Sequence, residues 1–493
     1  MSRPPFGTLT VSLALVLGAL VGGTPAHRGS AESTSQSVEV IGATAVCPDL
    51  RQRPPDLGTR VSVGAAPLPA GRKASPGTIT AVRVSDLSQG QPVPVTAPGQ
   101  VGVALGKTTN DDGLIIAATG ELAAGLEVEQ VSRGEKGAER GLAGLRCDPP
   151  QRESWFVGGA TNVGDTTSLV LVNVDDTPAT VDVTIFTAKG PADPRLGQGL
   201  TVQPHGRLII SLDTLAPDRG LLAIHVLSRR GRVAAGVRHS RTDGQRPLGV
   251  DWVPRTQAPS TSVVVPGIPE GPGARTLMIS NPGVDDATVS VRVTAFDGQF
   301  VPSDLSSLSV PAGTTVAARL ESVTDTSTVT ASITSDGAPV IAGAFVEDGS
   351  TSGIRDFSYT GGTQPLSGPA LLTDLSINRP TESSLILSAP GDAANVLVTP
   401  ITVIGVAGKP PAARLVPVPA GRVRTLKLST FYPPGTKTLL AVEVTALPGS
   451  GPVYAVRYLK EHGTHGPLVT LLDLQGPAQR VVRPAVLEDR QLG

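Results

Sequence analysis

The chain has 493 residues, a length suited to about three or four domains. Its 41 Lys and Arg against 42 Asp and Glu leave a net charge of −1, and aromatic residues make up 3%. With no basic block and few rings for base stacking, nucleic-acid binding is not expected. Charged residues stand at 17%, below the ~25% of ordinary soluble domains, while 57 Gly and 45 Pro supply turn formers. Short strands joined by Gly/Pro turns predict an all-β fold of sandwiches or barrels.

At the N-terminus Arg3 precedes an apolar stretch from Leu9 to Val21, followed by Gly22-Gly23-Thr24-Pro25-Ala26. That pattern suits a signal peptide with a small-residue exit near Thr24-Pro25-Ala26 or Gly29-Ser30-Ala31. Residues 7–23 are also long enough for a tilted span, so an uncleaved membrane tether is the alternative. Either reading puts the remainder outside the cytoplasm, extracellular or on the outer face of the cytoplasmic membrane. Two cysteines, Cys47 and Cys147, with no CxxC or paired His beside them, predict one disulfide in such a compartment.

Beyond the leader the chain repeats. Ser262-Val263-Val264-Val265-Pro266-Gly267 stands 108 residues after Ser154-Trp155-Phe156-Val157-Gly158-Gly159. Ser168–Asn173, Thr276–Asn281 and Ser384–Ser388 recur at the same spacing. Each is followed by an acidic or Gly/Pro turn and a second strand, Ala179–Thr184, Ala287–Arg292 or Ala394–Thr399. In the first two of these, valines alternate with polar residues, as in a strand with one buried face. Later come Pro-x-Gly turns at Pro204, Pro311 and Pro419, then Val233–Val237, Val340–Ala344 and Val453–Arg457. A degraded copy precedes these: Pro98–Leu105 matches Pro204–Ser211, and Gly141–Arg146 is matched to Val233–Arg238. Cys47 and Cys147 would then staple the two ends of that copy.

A period near 108 is too long for a propeller blade and suits a seven-stranded sandwich of about 100 residues. The expectation is three to four tandem immunoglobulin-like β-sandwich repeats. The boundaries are 1–31 for the signal peptide or anchor, 40–150 for the degenerate repeat, then 151–258, 259–366 and 367–476. A C-terminal strand or tail follows at 477–493, where Val481–Val486 echoes Val263–Ile268. Ala118–Val131 is the nearest helical candidate, but Gly120, Gly125 and Val128 weigh against it. Pro-rich joints such as Trp252–Pro259 should be extended and solvated, giving a rod of units.

These motifs, W-F-x-x-G at Trp155, L-x-L-x-N at Leu169, A-T-V-x-V at Ala179 and P-x-G at Pro204, resemble an actinobacterial family of secreted or membrane-anchored proteins known as a domain of unknown function. The likeness runs from about Cys47 to Pro484. It implies export and β-sandwich modules, and carries over no catalytic residues. Val174 stands where the next repeat has Pro282, a departure in one turn.

A search for chemistry finds no GxSxG, HExxH, P-loop or GxGxxG. Glu461-His462-Gly463-Thr464-His465 is the nearest metal-like set, but further ligands are missing and a solvated loop explains it better. Asn110-Asp111-Asp112-Gly113 could offer oxygens to calcium, yet lacks EF-hand spacing and reads as an Asp-Gly turn. The Asp175-Asp176 and Asp285-Asp286 pairs read likewise as turns. His225 is expected on an exposed strand face, His239 with Arg241 on a solvated rim, and Trp155 and Phe156 in packing. No catalytic residue, cofactor or metal is assigned. The expectation is a non-enzymatic exported envelope scaffold or protein-interaction module, whose partner is an envelope protein or cell-wall component. A cell-wall carbohydrate-binding array and an accessory subunit of an envelope-biosynthesis complex are the alternatives.

Overall fold

The computed structural model describes residues 36–483 except 50–57, 69–74, 109–112, 350–352, 377–380, 402, 406–409, 432–438, 464 and 478–479. The leader therefore lies outside the described residues. Residues 39–481 make one compact unit, and residues 1–38 with 482–493 make another. Gln36–Glu39 and Arg480–Arg483 pair as a two-stranded ladder, so the C-terminal strand takes the N-terminal segment as its partner.

Within residues 39–481 the chain is all-β, and one strand order recurs. Of seven main strands in each stretch, the first, third and fifth share one sheet, called outer here. The second, fourth, sixth and seventh form an inner sheet, in the spatial order fourth, second, sixth, seventh. The 155–256 stretch shows it plainly. Glu153–Val157, Ala179–Thr187 and Leu222–Arg230 are outer, while Asp165–Val172, Arg207–Ser211, Ala234–Asp243 and Arg246–Val253 are inner. This is a two-sheet sandwich, with a strand order different from the ABED/CFG division of immunoglobulin constant domains. The 108-residue offsets coincide with equivalent strands, such as Arg275–Ser280 and Thr381–Ala389 beside Asp165–Val172.

The first sheet pair corrects one alignment. Gly141–Arg146 is its seventh strand, and the sixth is Leu126–Gly134. Gly120 and Gly125 bracket a single helical turn, Gly120–Ala123, between the strands Leu114–Thr119 and Leu126–Gly134.

The units do not form a rod. Alternate residues of Asp165–Val172 serve two cores: Leu169 and Leu171 fill their own sandwich, while Val170 and Val172 pack with Val46, Val84, Ile115 and Leu145 of the first pair. The second core takes in Met278, Ile341 and Phe357 of the third pair, and the third core takes in Val456 and Leu471 of the fourth. The circle closes where Ala66 and Val101 of the first pair meet Leu371, Ile401, Val403 and Ala441 of the fourth. Val101 and Val403 form a parallel bridge there, and Ile404 N–H donates to Val101 O at 2.8 Å. Each sandwich thus buries both faces of its inner sheet, as sheets covered on both sides do.

The joints are buried as well. Trp252 and Val253 end a strand, and Arg255–Thr256 pairs back onto Trp155–Phe156. Thr256 Oγ1 donates to Gly362 O at 2.8 Å and to Ala342 O at 3.2 Å, so this segment bonds to the next unit instead of to water. At Gly267, in the repeated first-strand motif, the next unit comes so close that a Cβ would lie 2.5 Å from Val456 Cβ; φ there is +69°. Glycine is required on both counts.

Candidate functional site

The four seventh strands meet at the centre of the ring. Gly141–Arg146, Arg246–Val253, Arg355–Gly361 and Gly466–Leu474 touch one another in cyclic order. As the last strand of its inner sheet, each has one edge without a ladder partner in its own unit. Its main-chain N–H groups must find other acceptors, because an orphaned buried donor is costly. Side chains from the neighbouring units supply them.

Asp356, fully buried, does most of this. Its Oδ2 accepts from Leu142 N at 3.1 Å and Val469 N at 2.9 Å, and its Oδ1 accepts from Val250 N at 3.3 Å. One carboxylate in the third unit therefore binds the main chains of the first, second and fourth. Burial pushes its pKa up to about 7, against the pull of those N–H donors and of Arg140. Asp251, also fully buried, accepts through Oδ1 from Gly144 N at 2.9 Å and Trp252 N at 2.8 Å. Both its oxygens lie 3.2 Å from Thr470 Oγ1, and the Ser358 hydroxyl also bonds to it. Burial raises its pKa well above the carboxylate range, and neighbouring Asp356 adds to the rise. Ser358 Oγ in turn accepts from Leu471 N at 2.8 Å.

Small residues make room for these groups. A Cβ on Gly249 would sit 2.2 Å from Asp356 Oδ1, and φ of +121° is itself disfavoured for an L side chain. Gly249→Ala is expected to cost about 2 kcal/mol through strain and displacement of the carboxylate. Urea denaturation checks this, and a loss under about 0.5 kcal/mol would show that the axis can give way.

Charged pairs close the two ends. At the far end Arg146 makes a double hydrogen bond with Glu127 (2.9 and 3.0 Å) and Arg255 another with Asp148 (3.0 and 3.3 Å). Arg146, Asp148 and Arg255 line a recess there with Asp473 and Gln475. Burial raises the Glu127 pKa to about 7 despite Arg146, and raises that of Asp473. At the near end Arg140 donates to Arg355 O at 3.0 Å and Pro467 O at 2.8 Å. His465 joins Arg140, Glu135 and Leu468 around a second, smaller recess.

Ion pairs also join neighbouring units. Arg241 bridges Asp165 and Glu347, Lys460 and Tyr458 hold Asp348, and Arg457 reaches Glu129 at 3.2 Å. Arg238 pairs with Glu139. His239 is buried in this layer, not on a solvated rim. Nδ1 lies 2.7 Å from Tyr359 Oη and Nε2 lies 3.1 Å from Asp165 Oδ1, and burial lowers its pKa so that it stays neutral. The next unit covers the strand face on which it stands.

The other candidates fall as follows. Trp155 and Phe156 are buried in the second core. His225 is half-buried and stacks on Trp155 at 3.7 Å between centroids, with Glu153 Oε1 at 2.8 Å; burial lowers its pKa. Asp175 holds Arg232, Asp176 meets His205, and Asp286 accepts from Ala312 N, so each reaches from its turn to another loop of the same unit. His462 lies 3.8 Å from Glu382, while Thr464 and Asn110–Asp112 are outside the described residues. Among the described residues, no three His, Cys, Asp or Glu converge to hold a metal ion. Cys47 and Cys147 are joined as a disulfide.

Asp251, Asp356 and Gly249 carry the axis, and nothing in the repeat spacing picked them out. For Asp251 the signal was an acidic residue inside an otherwise apolar run, Val250-Asp251-Trp252-Val253, while Asp356 stands in the mixed strand Arg355–Gly361 and carries no such mark.

Fold and site together define an all-β protein of paired antiparallel sheets, closed into a ring around a polar axis and stapled by one disulfide. Residues 101–415 match the model of a family of unknown function, DUF5719, and the chain belongs to that family. No curated protein matches it.

Proposed function

We propose that this protein is a non-enzymatic exported scaffold or protein-interaction module of the cell envelope, working extracellularly or on the outer face of the cytoplasmic membrane. The observation that carries this reading is how the axial polar groups are used. The carboxylates, guanidinium groups and hydroxyls there bond to neighbouring units, which is a chemistry of cohesion. The buried disulfide suits an oxidising compartment. No helix among the described residues is long and apolar enough to cross a membrane, and residues 7–23 are the tether this reading offers. The ring's use is presentation: hairpins such as Asp243–Arg246 and Gly463–Gly466 lead into axial strands and offer a set of loops to an envelope protein or cell-wall component.

A carbohydrate-binding array is less favoured, since sugar platforms need exposed rings. Both tryptophans are buried, and Phe296 and Phe300 are the exposed aromatics among the large hydrophobic residues described. The test is intact mass and fractionation of natively expressed protein. A chain beginning near His27 or Ala31 in the medium supports a released scaffold, and a full-length chain in the membrane supports a tethered subunit. Recovery of a full-length chain from the cytoplasm overturns the proposal.

A further inference from the structure

The two axial aspartates occupy adjacent positions with unlike surroundings. Both oxygens of Asp356 accept main-chain N–H groups, so a proton placed there would find no acceptor. Asp251 differs. Its Oδ1 takes the two N–H donors, the Thr470 hydroxyl lies 3.2 Å from both oxygens, and the Ser358 hydroxyl also bonds to the carboxyl. A hydroxyl can accept as readily as donate, so a protonated Asp251 keeps every hydrogen bond.

Charge counting points the same way. The titratable groups around the pair are Tyr359 on the third axial strand, Tyr458, a phenol likewise held neutral by burial, His239 across the ladder from Asp251, and Arg140 ahead of the first axial strand. The fourth axial strand presents the Thr470 hydroxyl. His239 and Tyr359 are held neutral by burial, which leaves Arg140 as the cation, and it acts on Asp356. One cation offsets one of two neighbouring buried carboxylates. Two like charges in one dry site do not both form readily.

We infer that in mildly alkaline solution the axis retains one proton on Asp251 while Asp356 is ionised, so that closing the ring takes up a proton at that carboxyl. The unfolded chain would release this proton above the ordinary carboxylate range, near pH 4, whereas the closed ring holds it. By linkage, stability then falls as pH rises through the interval in which the closed ring alone is protonated. The folding equilibrium constant drops by up to tenfold per pH unit for this one site. The ring would be tightest in mildly acidic surroundings.

Asp251→Asn mimics the protonated acid, with an amide in place of the O–H. Asp356→Asn instead brings an amide N–H against N–H donors. Infrared spectra of the full chain at pH 8, combined with urea titrations from pH 5 to 8, test the inference. The expected result is a carboxylic-acid C=O stretch in the wild type that D251N lacks. The D251N folding constant should stay within about tenfold of wild type at pH 6 and lose one proton's share of the pH dependence. D356N should lose more than about a hundredfold, the direct cost of unpaired buried donors. If the wild type lacks that band at pH 8, or D251N is as damaging as D356N or fails to fold, the inference is overturned.

Discussion

Replacing Asp356 by alanine is expected to remove about 4 kcal/mol of stability, the largest effect predicted for a single side chain here. The substitution strips the acceptor from Leu142 N, Val250 N and Val469 N at once. Each buried donor left without a partner costs about 1–3 kcal/mol. Some of that is recovered because a buried carboxyl near its own ionisation point, about 7, is itself costly to desolvate. The net loss is a large fraction of the roughly 5–15 kcal/mol that holds a folded domain. Its location is as diagnostic as its size. The three donors belong to three other sheet pairs, so the damage should spread round the ring. Hydrogen exchange should quicken together in Gly141–Arg146, Arg246–Val253 and Gly466–Leu474. Faster exchange confined to Arg355–Gly361 would mean that Asp356 serves only its own unit.

Much of the fold was legible, and the reasons separate what was readable from what was not. The 108-residue spacing is a property of one chain stretch at a time, and strands such as Arg275–Ser280 sit where it placed them. Closure into a ring is a relation between stretches, and its sign was subtler. Leu169-Val170-Leu171-Val172 is apolar without alternation, which is how a strand buried on both faces reads, and both faces are indeed buried. Reading the run as one sandwich's core left its second face without a partner, hence the expected rod. His239 was misplaced for the same reason, since a polar residue beside Arg238 looks solvated until another unit covers it. Pro254 suggested a solvated joint, yet proline lacks only its own N–H, and Arg255–Thr256 next to it still pair with Trp155–Phe156. The axis was the hardest to read. Asp251 and Ser358 occupy equivalent places in their strands, but Gly144 and Thr470 complete the layer, so no residue type repeats. The copies have diverged in a complementary way, one unit providing a carboxylate and its neighbours the donors, and self-similarity cannot reveal complementarity.

Replacing both Cys47 and Cys147 by serine should destabilise the first sheet pair by about 3–5 kcal/mol. The bond spans 100 residues, and closing so long a loop is worth about 4.7 kcal/mol in the chain-entropy model, with measured native bridges near 2–5. Placement makes the upper part of that range the better expectation. Cys47 ends an outer strand, Cys147 follows the axial strand, and Val46 N–H donates to Asp148 O at 2.9 Å just beyond. Asp148 in turn grips Arg255 of the second unit through two hydrogen bonds. Pro48 O accepts from Gln130 Nε2, and Asp49 O from Arg207 Nη1. The staple therefore fixes the place where the first unit meets the second, in the copy with the least regular strands. Its loss should loosen that seam before any other. Limited proteolysis of the double variant should cut first between residues 40 and 147 and leave 260–474 intact at equal exposure. Hydrogen exchange in Gly141–Arg146 should rise together with that of its neighbour Arg246–Val253. Simultaneous cleavage of all four sheet pairs would instead mean that the ring opens as a single cooperative body, with the disulfide acting on the whole and not on one seam.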